Sequence, residues 1–129
     1  MAQYEIEVIL FRQLASSLAM PIFIVDPEGT LIFYNESAEE ILGRRFEETG
    51  ELETKEWSAV FSPTDEQGRP LPRESLPLSI ALERRRPAHV RLWIRGLDQV
   101  PRHIEVTALP LIGQSQRFLG AAAIFWMSA

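Results

Sequence analysis

The segment from residue 21 to residue 43 constrains the fold more than any other part of the chain, because its first half encodes a β-hairpin. The apolar run Ile22-Phe23-Ile24-Val25 is followed by Asp26-Pro27-Glu28-Gly29 and then by a second β-rich run over residues 30–34. Proline presets one backbone angle of a turn, and glycine supplies a positive one. Residues 22–34 therefore predict two short antiparallel strands.

The second half of this segment predicts a helix with a signal at each end. Asn35 is placed to cap a helix over residues 36–42, acidic side chains occupy its first turn, and Gly43 follows its last residue. Short helical turns are expected over residues 44–62. A proline-rich loop is expected over residues 63–77.

The remainder of the chain predicts one longer helix and three strands. The helix covers residues 75–86, and the strands cover residues 88–95, 102–109 and 117–127. The last strand has no polar face, which is typical of a strand that is covered on both sides. The order of elements predicts an α+β fold, with a five-stranded antiparallel sheet and helices packed on one face.

Residues 3–18 precede the hairpin and are expected to form an amphipathic helix. One apolar stripe comprises Ile6, Leu10, Leu14 and Leu18, and a second comprises Tyr4, Val8, Phe11 and Ala15. The first residues also alternate as a strand would, but the length of the pattern favours a helix. Together the stripes give an apolar arc wider than a single contact requires.

The composition describes one acidic, globular domain. The chain has 129 residues, of which 46% are hydrophobic and 24% charged, and 13 basic against 18 acidic residues give a net charge of −5. This balance argues against nucleic-acid or membrane surfaces, and the absence of cysteine excludes disulfides, thiolate metal sites and cysteine nucleophiles. No apolar run approaches the ~20 residues of a membrane span, and no signal peptide is visible. We expect a cytoplasmic domain.

The ordered set of elements resembles a PAS domain, the sensor module of bacterial two-component and other signalling proteins. The hairpin, cap and helix of residues 21–43 are similar to the first part of that family. Residues 65–72 with Leu76-Pro77-Leu78 resemble the loop before its long helix, and residues 119–125 resemble its last strand. The resemblance covers about residues 17–127. It implies an N-terminal helix over 1–18 and a PAS domain over 19–129.

The sequence departs from the family pattern at two places. Many members continue after the last strand into an output helix, whereas this chain has Met127-Ser128-Ala129 there. A glycine-containing turn often follows the long helix, and here the sequence is Arg85-Arg86-Pro87. We expect either a piece of a longer protein or a free-standing PAS protein that acts by association.

The two histidines are the first candidates for chemistry. His89 and His103 lie on neighbouring predicted strands, and their alternation directs them to the outer sheet face together with Arg91, Trp93, Arg95 and Glu105. Metal ligands at suitable spacing are lacking, so a half-exposed face with cross-strand Arg–Glu pairing is the favoured interpretation. The sequence contains no phosphate-binding loop, nucleophile elbow or HExxH motif. We expect no catalytic residues and no metal site.

The resemblance also implies a cavity between sheet and helices in which many family members hold a ligand. Haem-binding members use a histidine on the long helix, which residues 75–86 lack, and photoactive flavin-binding members use a cysteine. We expect no cofactor and plain filling of the core by side chains. Non-covalent flavin, haem and a small organic ligand are the alternatives. The residues expected to point inward are Ile24, Phe33, Ile41, Phe46, Trp57, Leu78, Leu82, Val90, Leu92, Val106 and Phe125.

The excess apolar surface of the N-terminal helix predicts association. In the family the helix before the first strand often pairs two subunits, which implies a homodimer interface formed by Tyr4, Ile6, Val8, Leu10, Phe11, Leu14 and Leu18. The alternative is a helix that folds back on its own sheet. We expect a non-enzymatic sensor that relays a signal to an output domain in cis or to a partner in trans, most often a histidine kinase in bacteria.

Overall fold

The computed structural model describes residues 6–95 and 99–128, which contain one five-stranded antiparallel sheet. The strands are β1 (Ile22–Val25), β2 (Leu31–Tyr34), β3 (Ala88–Arg95), β4 (Pro101–Ile112) and β5 (Phe118–Met127). Their order across the sheet is β2-β1-β5-β4-β3, so the first hairpin pairs with the last strand of the chain. The predicted α+β fold and all five strands are confirmed.

The helices lie close to their predicted positions. They are α1 (Ile6–Ser16), α2 (Glu36–Leu42), α3 (Phe46–Thr49), α4 (Thr54–Phe61) and α5 (Pro77–Arg84). The last of these is shorter than predicted: Pro77 occupies its first turn, and Arg85 ends it in a left-handed conformation with φ of 52°. Proline suits a first helical turn because the amide it lacks would have no partner there.

The two faces of the sheet carry different layers. On the inner face, helices α2, α4 and α5 contribute Ala38, Leu42, Trp57, Leu78 and Ala81 to one core with alternate residues of the strands. On the outer face, α1 packs Val8 and Ala15 against a smaller cluster that includes Ile22, Ile24, Ile32 and Leu119. This second layer explains why all four residues of β1 and the middle of β5 are buried.

One buried side chain joins the elements at the end of β2. Asn35 caps α2 by accepting a hydrogen bond from the Ala38 amide at 3.1 Å, and the same Oδ1 accepts from the Ile22 amide at 3.1 Å. Its Nδ2 donates to the carbonyls of Ala15 at 2.9 Å and Met20 at 2.8 Å. The predicted cap is confirmed, and it also binds the C-terminal end of α1.

The turn of the first hairpin is tied to α4. The Gly29 carbonyl accepts from Thr54 Oγ1 at 2.7 Å and from Trp57 Nε1 at 3.0 Å. Gly29 itself has a φ of 89°, as its turn requires. The hydrogen bond from Trp57 fixes the position of its indole beneath the sheet.

Candidate functional site

A small cavity lies between the inner face of the sheet and helices α4 and α5. Its volume is about 70 Å³. Its wall is formed by Phe23, Trp57, Ser58, Phe61, Pro63, Leu76, Pro77, Leu78, Leu92, Ile94, Ile104, Val106, Ala123 and Phe125. Phe23 anchors one side, where its ring lies 5.0 Å from that of Phe125 and 5.4 Å from that of Phe61.

Five of the residues predicted to point inward line this cavity. They are Trp57, Leu78, Leu92, Val106 and Phe125. Four others, Ile41, Phe46, Leu82 and Val90, are partly buried residues that pack against the same core without being part of the wall.

The prediction is wrong for Ile24 and Phe33, which pack in the outer cluster beneath α1. These two residues are register partners across the hairpin, so they share a face as expected, but it is the opposite face. All four residues of β1 are apolar, and all four are buried in the structure. The sequence of β1 therefore contains no polar residue that would distinguish its two sides. Instead, Phe23 lines the cavity.

Sequence reasoning also missed much of the wall contributed by the sheet. Ile94 lies two residues after Leu92 in β3, and Ile104 lies two residues before Val106 in β4, so each points to the same face as its neighbour. Ile104 is also the register partner of Leu92. Extending the predicted inward alternation by one step along each strand would have found both. The contributions of Pro63 and Leu76 have no comparable signal, since both residues lie in the segment between α4 and α5, and Pro77 is the first residue of α5.

The wall of the cavity is apolar except for one hydroxyl. Ser58 Oγ is buried and has no hydrogen-bond partner among the described residues. An unsatisfied buried hydroxyl is costly. Among the described wall residues, Ser58 is the one with an unpartnered buried side-chain oxygen.

The cavity does not fit a flavin or a haem as it stands. Sites for drug-sized ligands measure roughly 300–1,000 Å³, whereas this one measures about 70 Å³. No histidine is among the wall residues that the structure describes. Because the Gly29 carbonyl already engages Trp57 Nε1, Ser58 is the one side chain of the described wall with a hydrogen-bonding group that has no partner. The dimensions and chemistry suit a molecule of a few non-hydrogen atoms.

Helix α1 forms the second candidate site because it presents an apolar stripe to solvent. The exposed fractions are 68% for Ile6, 56% for Leu10, 57% for Leu14 and 41% for Leu18. Val8, in contrast, is 4% exposed, and Phe11 packs partly against the outer cluster. The two predicted stripes therefore face different surroundings. The stripe with Val8 and Phe11 contacts the sheet of the same chain, and the stripe of Ile6, Leu10, Leu14 and Leu18 is exposed to solvent. Tyr4 lies outside the described residues.

Polar contacts fix α1 on the sheet at both ends of the docked face. Glu7 Oε2 accepts from Arg117 Nη2 at 2.6 Å and from the Gln114 amide at 3.3 Å. Backbone amides, followed by Arg117, hold the pKa of Glu7 below its ordinary value. On the other side, the guanidinium of Arg12 lies 4.9 Å from the centre of the Phe33 ring.

The outer face of β3 and β4 carries both histidines, as their alternation predicts. His89 Nδ1 lies 2.7 Å from Thr107 Oγ1, and its Nε2 lies 3.2 Å from Glu105. Arg91 pairs with the other oxygen of Glu105 at 3.8 Å. Among residues 6–95 and 99–128, no group of three or more His, Cys, Asp or Glu side chains could hold a metal ion.

Within the same described ranges, no helix has the length and apolar character needed to cross a bilayer.

Comparison with known proteins gives one consistent result. A family model described as a PAS domain matches residues 19–126. A search among curated proteins returned no match.

Among solved structures, the fold is similar to the PAS domain of Bordetella pertussis BvgS, with a TM-score of 0.62 and 15% identity over 95% of this chain and 86% of that one. The PAS domain of nitrogen regulation protein NR(II) from Vibrio parahaemolyticus gives a TM-score of 0.64 at 15% identity, over 92% of this chain and 98% of that one. A Rhodobacter sphaeroides LOV protein gives 0.75 at 14% identity, over 97% of this chain and 69% of that one. At these identities the likeness concerns the fold alone.

Proposed function

This chain belongs to the PAS domain family, and on that premise we propose that it is a cytoplasmic signalling module that dimerises through α1 and relays a signal to an output domain. Members of this family are generally sensory, non-catalytic modules. The output in bacteria is most often a histidine kinase, which would place the chain in a two-component system.

The observation that carries this proposal is the exposed stripe of α1. Ile6, Leu10 and Leu14 are each more than half exposed, although the same helix is firmly docked through its other face. A docked helix with a contiguous apolar solvent face is typical of a protein–protein contact. A second copy supplies the matching surface, because two identical stripes bury each other around a twofold axis.

Native mass spectrometry and light scattering test the dimer. We expect the wild-type chain to be dimeric, and the double variant Leu10→Glu/Leu14→Glu to be monomeric with an unchanged fold by circular dichroism. The matched control is Gln13→Glu/Ser16→Glu, which adds the same two charges at exposed polar positions of α1 and is expected to stay dimeric. A monomeric wild type, or a dimeric Leu10→Glu/Leu14→Glu variant, would contradict the proposal.

A second candidate function is favoured by the cavity and its lone hydroxyl. In this alternative the chain is a receptor whose signal is a small, mainly apolar molecule that accepts or donates one hydrogen bond at Ser58. Because the wall is otherwise apolar, such a ligand would be held mainly by burial of its surface.

Native mass spectrometry of freshly purified protein, with Ser58→Ala as the variant, tests the receptor. A receptor predicts extra mass on the wild type that is reduced on Ser58→Ala. The exposed Ser75 provides the control Ser75→Ala, which should retain that mass. If the wild type carries no extra mass and Ser58→Ala raises stability by about 1 kcal/mol, as loss of an unsatisfied hydroxyl should, the core is closed and the receptor function is rejected.

A further inference from the structure

The second histidine of the outer sheet face contacts a loop as well as the sheet. His103 Nε2 lies 2.7 Å from Glu66 Oε1, and Glu66 belongs to the irregular segment between α4 and α5. The imidazole is stacked on the indole of Trp93, with ring centres 4.6 Å apart and planes inclined by 14°. His103 thus connects β4, β3 and this loop through its side chain.

The loop is fastened to the edge of the sheet at the same place. The Thr64 amide donates to the Trp93 carbonyl at 2.8 Å, and the Trp93 amide donates to the Thr64 carbonyl at 2.9 Å. Asp65 closes the turn by accepting from the amides of Gln67 and Arg69, both at 2.9 Å. Residues 63–71, hereafter the wall loop, are closed at their base by the Leu71 amide, which donates to the Pro63 carbonyl at 3.0 Å.

This contact lies directly behind the cavity. Pro63 lines the cavity, and so do Ile94 and Ile104, which follow Trp93 and His103 in their strands and point to the inner face. Movement of the wall loop would therefore displace part of the cavity wall. We propose that Glu66 and His103 form a pH-responsive latch that fixes the wall loop to the sheet and keeps this wall in place.

The latch follows from the chemistry of its two side chains. A neutral imidazole can donate one hydrogen bond to the Glu66 carboxylate, but a protonated imidazole adds charge to that bond and a cation over the face of Trp93. Histidine is the side chain whose charge changes between about pH 5 and pH 8. Acidification through that range should therefore tighten the latch.

The other charges facing His103 do not replace Glu66. On β4, Glu105 is engaged by His89 and Arg91. On the wall loop, Asp65 is engaged by Arg69 at 2.8 Å. On β3, Arg91 and Arg95 flank Trp93 on the same face. The end of β5 contributes the uncharged residues Met127 and Ser128, and the Ser128 amide donates to the His103 carbonyl at 2.9 Å.

The size of the effect is limited by solvent. The side chains of His103 and Glu66 are 23% and 44% exposed, and partly exposed ion pairs of this kind change an opening equilibrium by about 1.5- to 5-fold. The latch is a property of the fold and requires no ligand, so its test is independent of both functions proposed above.

Amide hydrogen exchange, read by NMR as protection factors that remove the intrinsic pH dependence, tests the latch. In the wild type we expect the Thr64 and Trp93 amides to be about 1.5- to 5-fold better protected near pH ~5.5 than near pH ~8. Both His103→Gln and Glu66→Gln should lose that difference, and Glu66→Gln changes an exposed loop residue.

The matched control is His89→Gln, because His89 occupies the same face and pairs with Glu105 without touching the wall loop. It should keep the pH difference at Thr64 and Trp93. A difference that persists in His103→Gln and Glu66→Gln, or one that His89→Gln also abolishes, would overturn the proposal.

Discussion

Replacing Asn35 with alanine should be among the most destabilising substitutions in this chain. The side chain is 1% exposed and makes four hydrogen bonds that join the end of α1, the segment before β1, the first residue of β1 and the start of α2. Two of the four partners keep a second bond after the change: the Ala38 amide donates to the Asn35 carbonyl at 3.0 Å, and the Ala15 carbonyl accepts from the Leu18 amide at 3.1 Å.

The other two partners, the Ile22 amide and the Met20 carbonyl, rely on Asn35 among the side-chain contacts of the described residues. Loss of a helix N-cap costs about 1 kcal/mol, and each buried backbone group left unsatisfied costs about 1–3 kcal/mol. The sum is about 3–7 kcal/mol. Since domains of this size have total stabilities of about 5–15 kcal/mol, Asn35→Ala should unfold a large fraction of the protein or shift its denaturation midpoint strongly.

Urea denaturation of three variants measures the contribution of each half of the side chain. Asn35→Ser keeps a cap acceptor and should be less destabilised than Asn35→Ala. Asn35→Asp keeps Oδ1 but places a carboxylate oxygen against the carbonyls of Ala15 and Met20, so it should be more destabilised at neutral than at acidic pH, where a protonated acid can donate. Ser37→Ala, two residues further along the chain, is the control and should change stability by no more than about 0.5 kcal/mol.

The reasoning would be refuted if Asn35→Ala cost no more than about 1 kcal/mol, the value of an N-cap alone. Such a result would mean that the bonds to the α1 end contribute nothing. A cost in the expected range would locate the coupling between α1 and the core at this side chain.

Two further predictions concern a glycine and an ion pair. Gly120→Ala should destabilise the protein by about 3 kcal/mol or more, because the φ of Gly120 is 124° and an added Cβ would collide with the Val25 carbonyl oxygen. The control Gly68→Ala should cost only about 1–2 kcal/mol, because Gly68 has a φ of 82° and nothing lies within 4 Å of the added atom. Equal urea midpoints for the two variants would refute the steric argument. Backbone amides and Arg117 lower the pKa of Glu7 in the folded chain, so its contribution to stability is present above the unfolded-state pKa and is lost as pH falls through the folded one. On acidification from about pH 6 to pH 3, the melting temperature should therefore fall less steeply in Glu7→Gln than in the wild type. Parallel pH profiles of the melting temperature would show that the contact of Glu7 with the β4–β5 connection contributes no stability.

Local sequence patterns predicted most of the secondary structure because the interactions that form it join residues close together in the chain. The turn at residues 26–29 forms where aspartate, proline and glycine occur together, with Asp26 Oδ1 accepting from the amides of Glu28 and Thr30. Asn35 and Gly43 bound α2 as predicted. The alternation of β3 and β4 placed the histidines on the outer face and Leu92 and Val106 on the inner face. These features depend on neighbours within a few residues, or on the two-residue period of a strand.

What the sequence determined by itself was therefore the order and type of the elements, part of the core and the apolar excess of the N-terminal helix. Which face of that helix docks, which face of β1 lines the cavity, and how large the cavity is were decided only by the tertiary structure. The reason is that Ile22–Val25 is apolar on both sides, and a register shift between Ile24 and Val25 leaves Ile32 as the extra residue of the hairpin. The Asn35 bonds to α1 and the contact between Glu66 and His103 join segments distant in the chain, so they form only when packing of the sheet brings those segments together.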